Sequence, residues 1–256
     1  MTRQRGYQLH LSRGDNVLKD RQGRGQKFKK ILSVLKDFGL ETRFLTCLDI
    51  GCSSGVITSF LQDHFPRVIG VDIDQEAIQY AQAHGASPHV HYLIGDAMDI
   101  PLKEEAVDLV VCNHIYEHVP DAKQLMEEIY RVLKKGGACY FAAGNRRMIM
   151  EGHYHLPFLS WFPKPVADLY LKMFGKGTSY YEEHLSLRGL KELVRRFKIY
   201  DYTLRIIRNP DQFSATDLFD TKTISYRFIR WVAPFLYRWI PTYVWVLKKN
   251  DRKMEL

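Results

Sequence analysis

The chain has 256 residues, 46% of them apolar and 26% charged, with a formal net charge of +8. This is long and apolar enough to bury a full core, single α/β domains of this size are ordinary, and no internal repeat divides it. Its four cysteines, Cys47, Cys52, Cys112 and Cys139, form no C-x-x-C pair, the start is too polar for a signal peptide, and His153-x-His155 alone is no zinc ligand set. The cysteines therefore read as reduced core residues, no metal is expected, and the chain reads as cytoplasmic.

Charge is unevenly spread. Residues 1–36 hold ten Lys or Arg against two Asp, and residues 222–256 hold eight against two acids, while the middle is net acidic. Residues 1–24 read as a basic, flexible arm ahead of one domain over 25–256. Phe28, Ile31, Leu32, Leu35 and Phe38 then recur at helical spacing, so a helix begins near Gln26 and Gly39 stops it.

Phe44-Leu45-Thr46-Cys47-Leu48 reads as a buried strand that runs into Asp49-Ile50-Gly51-Cys52-Ser53-Ser54-Gly55, after which Val56 opens a helix. Gly51 and Gly55 permit close backbone approach to a ligand, and the helix start offers unpaired N–H groups. The second strand, Val68-Ile69-Gly70-Val71, puts Asp72 at its carboxyl end, about twenty residues on, where an acid can bind a ribose diol. A dinucleotide fingerprint would need glycine at 51, 53 and 56, yet the chain has Gly51, Ser53 and Val56, and no Gly-Lys-Ser/Thr follows to make a P-loop.

A helix over 76–82, a strand over 90–94 and a strand over 107–112 continue the alternation. Asp121 caps a helix carrying Leu125, Met126, Ile129, Val132 and Leu133, and a fifth strand covers 139–143. Such alternation argues for a parallel sheet covered on both faces. Ser186 caps a further helix, and 197–207 and 242–247 read as strands.

The pattern D-x-G-x-x-x-G over 49–55 resembles motif I of the class I S-adenosylmethionine-dependent methyltransferases. The likeness continues in order through Gly70-Val71-Asp72-Ile73-Asp74, Gly95-Asp96-Ala97, Asp108 to His114 and Leu133-Lys134-Lys135-Gly136-Gly137. It implies a doubly wound, mostly parallel seven-stranded sheet with an antiparallel edge, and S-adenosylmethionine as cofactor. It also implies that Asp49, Gly51, Cys52, Ser53 and Gly55 form the donor loop, with Asp49 bracing it near the donor amino group. Asp72 and Ile73 would serve the ribose, Asp96 and Ala97 the adenine side, and Asn113 with His114 would complete the site. Ser53 departs from the glycine that many members carry there.

Methyl transfer from a sulfonium is an in-line displacement that chiefly needs alignment, and a hydroxyl acceptor also needs a base. His114, directly after the fourth strand, is the first candidate, ahead of His153 and His155, with Glu117 and His118 as further ones. Members that methylate amides or exocyclic amines often carry Asn/Asp-Pro-Pro-aromatic after that strand, whereas Asn113-His114-Ile115-Tyr116 lacks both prolines. A small-molecule, glycan-linked or lipid-like acceptor methylated on oxygen or carbon is therefore favoured. RNA methylation through the basic arm, with no RNA-binding module in view, and a non-catalytic nucleoside-binding scaffold are the alternatives.

Two insertions should define the acceptor. Residues 145–185, dense in aromatics and imidazoles, are placed to roof the donor site, or else form a packed cap. Residues 209–240 are aromatic and amphipathic. Within 224–247, Arg230, Pro234, Arg238 and Pro241 exclude a spanning helix. That stretch suits an interfacial helix at the inner membrane surface, a helix packed on the sheet, or a dimer contact.

Overall fold

The structure is a computed structural model and describes residues 21–85 and 87–250. Seven strands form one sheet: β1 (Thr46–Ile50), β2 (Arg67–Asp72), β3 (Val90–Ile94), β4 (Val107–Asn113), β5 (Leu133–Gly144), β6 (Phe197–Asp201) and β7 (Thr242–Lys249). Their order across the sheet is β3-β2-β1-β4-β5-β7-β6. The first five run parallel, and β7 runs antiparallel to both β5 and β6, making the antiparallel pair at that edge. The chain builds outward from β1 to β3 and then returns to lay β4 on the other side of β1. That reversal opens a crevice beyond the carboxyl ends of β1 and β4.

Side-chain alternation divides the core into two layers. Cys47, Leu109, Val111, Tyr140 and Val246 point to one face, and Leu48, Ile50, Val110, Phe141 and Trp245 to the other. Helix α1 (Arg21–Asp37) covers the first face with Phe28, Ile31, Leu32, Val34 and Leu35 buried. Gly39, at φ +87°, ends it, with the Leu40 N–H returning to the Leu35 carbonyl at 3.1 Å. The helix thus starts inside the segment read as an arm, and residues 1–20 of that arm lie outside the described residues. Short α2 (Val56–Leu61) follows Gly55 on the same face, and α3 (Gln75–His84) is capped by Asp74, whose carboxylate accepts the Ala77 N–H at 3.1 Å.

The second face is covered by α4 (Ala122–Val132), capped by Asp121, and by the helix that Ser186 caps. Between them in sequence, the 145–185 insertion carries α5 (Lys164–Met173) and its own small core of Leu156, Leu159, Ala167, Leu171 and Tyr180. The Ser186-capped helix is α6 (Leu187–Leu193).

The strand expected over 197–207 is shorter than its composition suggests. It ends at Asp201, whose Oδ1 accepts the Thr203 N–H at 2.8 Å and turns the chain into helix α7 (Thr203–Arg208). Helix α8 (Ile224–Val232), capped by Thr223, occupies the 209–240 insertion and leaves only Tyr226 buried. No helix among the described residues is long and apolar enough to cross a membrane. All four cysteines are free and buried.

Candidate active site

A cavity of about 560 Å³ opens at the crevice. Its floor is the loop after β1, which three left-handed residues bend tightly: Gly51 (φ 67°), Ser53 (φ 50°) and Gly55 (φ 73°). The N–H groups of Gly51 and Cys52 both reach the Val71 carbonyl, at 2.8 and 3.1 Å. A Cβ on Gly51 would stand 2.3 Å from Ile115 Cδ1, so this glycine admits the chain after β4 to the cavity wall. Gly55 answers to packing as well, since a Cβ there would lie 2.6 Å from the Tyr92 hydroxyl, and Gly55 does not line the cavity.

Three carboxylates stand at three strand ends around this loop. Asp72 spans the end of β2: its Oδ2 accepts the Ser53 N–H at 2.7 Å and its Oδ1 the Asp74 N–H at 2.9 Å. Burial raises its pKa against the pull of those N–H groups. Asp49 is buried on β1 and accepts the Thr58 hydroxyl at 2.7 Å. Burial pushes it up to about 7, with the Thr58 bond and the Arg24 charge acting the other way. Asp96 follows β3 and accepts the Met98 N–H at 2.8 Å. Cys52, Ile73, Ala97 and Asn113 complete the predicted donor residues that line the cavity.

The rim is imidazole-rich. His114 sits just past β4 at φ 59°, with its N–H on the Ala142 carbonyl at 2.9 Å. Its Nδ1 lies 3.0 Å from Oε1 of the fully buried Glu117. Burial would raise the Glu117 pKa, but the His114 bond and the charges of His114, His118 and His184 bring it down to about 2. An ionised Glu117 accepts the Nδ1–H of His114, which in the neutral imidazole puts the lone pair on Nε2. His118 is pushed down to about 4, chiefly by burial, and is neutral near pH 7. His153 lines the same rim, edge-on to His118 with ring centroids 4.9 Å apart.

His155 is not brought to the cavity. It is exposed at φ 54° in a turn, its N–H on the Glu151 carbonyl at 3.0 Å. Conversely, α1 sends Arg24 and Lys27 to the cavity wall, a pair three residues apart that the sequence reading left to the basic arm and its boundary. Their spacing on one helical face was the available signal. Glu151 was not anticipated either.

A family model described as "Methyltransferase domain" matches residues 48–141, the stretch from β1 to β5 that contains the loop and the three carboxylates. Residues 48–141 of the chain are thus similar to a methyltransferase domain. Among curated proteins, the chain is 25% identical over 158 residues to the ubiquinone biosynthesis O-methyltransferase of Hydrogenovibrio crunogenus, covering 60% of this chain and 62% of that one. A ubiquinone biosynthesis O-methyltransferase of Pseudomonas entomophila is 28% identical over 51% of this chain and 54% of its own. A probable S-adenosylmethionine-dependent methyltransferase of Mycolicibacterium smegmatis is 33% identical over 41% of this chain and 40% of its own. The chain thus spans about half the length of the curated relatives it matches.

Solved structures extend the likeness of fold across nearly the whole chain. The PH0226 protein of Pyrococcus horikoshii superposes with a TM-score of 0.63 at 16% identity, covering 93% of this chain and 97% of that one. An S-adenosylmethionine-dependent methyltransferase of Mesorhizobium loti gives a TM-score of 0.58 at 16% identity over 86% and 97%.

Proposed function

We propose that the methyltransferase domain moves the methyl group of S-adenosylmethionine to an oxygen of a small-molecule or lipid-like acceptor. The donor fits the cavity's chemistry. Its volume is that of a typical small-molecule site, and Asp49, Asp72 and Asp96 suit a cationic nucleoside whose ammonium, ribose diol and adenine amine all donate hydrogen bonds. Asp72, already fixed by two backbone N–H groups, has lone pairs left for the diol. Arg24 and Lys27 bring positive charge to the same wall and suit the donor's carboxylate.

The His114–Glu117 pair carries the choice of an oxygen acceptor. A carbon or amine nucleophile has less need of a base, whereas a hydroxyl gains roughly 10²- to 10⁴-fold from one. Here a buried carboxylate 3.0 Å from Nδ1 orients an imidazole at the cavity rim. When bound, the donor supplies an activated methyl carbon. The chain's part is to hold the acceptor oxygen in line with it, take the hydroxyl proton at His114 Nε2 and exclude water with the 145–185 cap, alignment alone being worth up to about 7–11 kcal/mol. Two of the relatives are named as O-methyltransferases of ubiquinone biosynthesis, which agrees with this acceptor class.

The same reading extends to a membrane-borne acceptor on one observation. Ile224, Phe228, Trp231 and Phe235 form a stripe at helical spacing and are 84%, 61%, 68% and 76% exposed, with Arg227 and Arg230 between them. An outward apolar stripe edged by arginines fits an anionic lipid surface. Trp161 of the cap packs on Trp239 at 5.3 Å, joining this segment to the acceptor side.

The test uses labelled S-adenosylmethionine with the full chain and fractionated extract. Label in an organic-extractable phenol or alcohol, lost in His114→Asn, is expected. Label confined to RNA or protein, or none in any fraction, overturns the proposal.

A further inference from the structure

Beside the rim, the cap holds a set of ligating side chains for which methyl transfer as described has no use. Glu151 and His153 lie shortly after β5, and His184 returns from the cap's far end just before Ser186. One carboxylate oxygen of Glu151 and one ring nitrogen from each histidine all lie within 4.8 Å of one another. Glu151 Oε1 is 2.8 Å from His153 Nδ1 and 3.5 Å from His184 Nε2. Glu151 is fully buried, and its Oε2 is held by the N–H groups of His153 and Tyr154, both at 2.8 Å.

The histidine at the back of this set points to a ligand. The His184 side chain is 1% exposed; among the described residues its Nδ1 has no hydrogen-bond partner, and its Nε2 reaches only Glu151 Oε1, at 3.5 Å and outside hydrogen-bond geometry. Buried polar atoms are nearly always satisfied, so an imidazole with Nδ1 open and Nε2 held only this loosely is an exception that needs a cause. Room is also kept for this ring, because a Cβ on Gly144 would lie 2.7 Å from His184 Nδ1.

We propose that Glu151, His153 and His184 bind one divalent transition-metal cation of the zinc class. Two imidazoles and a carboxylate form a three-ligand set that leaves a coordination position open, and imidazole disfavours magnesium and calcium. Metal–ligand bonds of about 2.0–2.2 Å place tetrahedral ligand atoms about 3.3–3.6 Å apart, so the Glu151–His184 pair already has the spacing. His153 is partly exposed and needs only to turn its ring from Glu151. Because His153 also lines the cavity, the set borders it. A second triad, His118, His153 and Glu182, shares His153, but His184 is the buried ring left open.

The test is binding of zinc alone to the metal-stripped full chain, read by competition with a chromophoric chelator, with cobalt as a spectroscopic probe. It requires neither donor nor acceptor, so it can succeed or fail independently of methyl transfer. One equivalent should bind with submicromolar affinity, and bound cobalt should show the visible absorption of a four- or five-coordinate site. His184→Asn and Glu151→Gln should each weaken zinc by at least about tenfold, while Glu182→Gln and the exposed His91→Ala should stay within about threefold. If His184→Asn does not fold, Glu151→Gln and the wild-type cobalt spectrum decide. Absence of stoichiometric binding in the wild type, retained affinity in the folded Glu151 or His184 variant, or loss only in Glu182→Gln overturns the site.

Discussion

The strand side and the cap side of the crevice, the proposed donor and acceptor halves, are built on opposite plans. On the strand side, each carboxylate sits at or near the end of a core strand and is pinned by hydrogen bonds: Asp72 by the N–H groups of Ser53 and Asp74, Asp96 by that of Met98, and Asp49 by the Thr58 hydroxyl. On the cap side, His114, Glu117 and His118 follow β4, and Glu151, His153 and His184 come from a 145–185 insertion with a small core of its own, whose folding brings residue 184 to residues 151 and 153. Under the proposed function, the first plan would fix one ligand on the common sheet, and the second would leave substrate choice to an appendage that can change without disturbing the sheet.

The sharpest way to break this division is to remove function from one side and ask whether the other notices. His114→Asn keeps a side chain that tolerates the left-handed backbone at φ 59° but offers no base nitrogen. It should lower kcat by about 10²- to 10⁴-fold while donor affinity changes little. A parallel fall in donor affinity, measured by calorimetry, would place His114 in donor binding instead.

Next in size is Asp72→Ala. It removes the acceptor for two backbone N–H groups and for the ribose diol, and hydrogen bonds to a charged group are each worth about 1.5–3 kcal/mol. Donor affinity should drop by about 100-fold or more, with the acceptor KM nearly unchanged. Near-normal donor binding in a variant with native circular dichroism would contradict the donor-half plan.

A subtler effect is protonic. Asp49, raised to about 7 by burial, is largely protonated at pH 6 in the free protein. A cationic donor favours the carboxylate, so binding should release close to one proton at pH 6, almost none above pH 8, and tighten as pH rises through about 7. In the free protein the sign is reversed: the native state holds the proton more tightly than the unfolded chain. The stability that Asp49 contributes is therefore fully present below its unfolded value of about 3.9 and is lost as pH rises through about 7. Calorimetry in buffers of different ionisation enthalpy reads the proton, and Asp49→Asn should abolish it.

The smallest effect separates the α8 surface from both halves. Replacing Phe228 and Trp231 together by serine should weaken flotation with anionic vesicles by about tenfold or more and leave donor affinity and thermal stability intact, because both side chains already face outward. Unchanged flotation would remove the lipid surface from the account.

Sequence legibility follows the same divide. Strand ends, glycine turns and carboxylates of the donor half lie within one run from β1 to β5, so spacing pointed to Asp72, and the family resemblance of that run to Asp49 and Asp96; all three line the cavity. Even there, the glycines were read as ligand clearance, whereas Ile115 and Tyr92 occupy the space a Cβ would need. The strand reading over 197–207 failed because an alternating aliphatic run continues past Asp201, and only its capping bond to Thr203 reveals the turn into α7. His153 and His155 were both read as weaker base candidates, but the fold turns His155 outward and brings His153 beside Glu151 and His184. No local periodicity joins residues 151 and 184; tertiary folding of the insertion does.

The central claim is that the donor half is a complete nucleoside site in its own right. Calorimetric titration of the full chain with S-adenosylmethionine, beside a nicotinamide dinucleotide, tests it most directly. The account predicts one donor per chain at micromolar affinity, with proton release at pH 6 and no comparable dinucleotide binding. Dinucleotide binding in preference to S-adenosylmethionine, or no nucleoside binding by the folded chain, would contradict it.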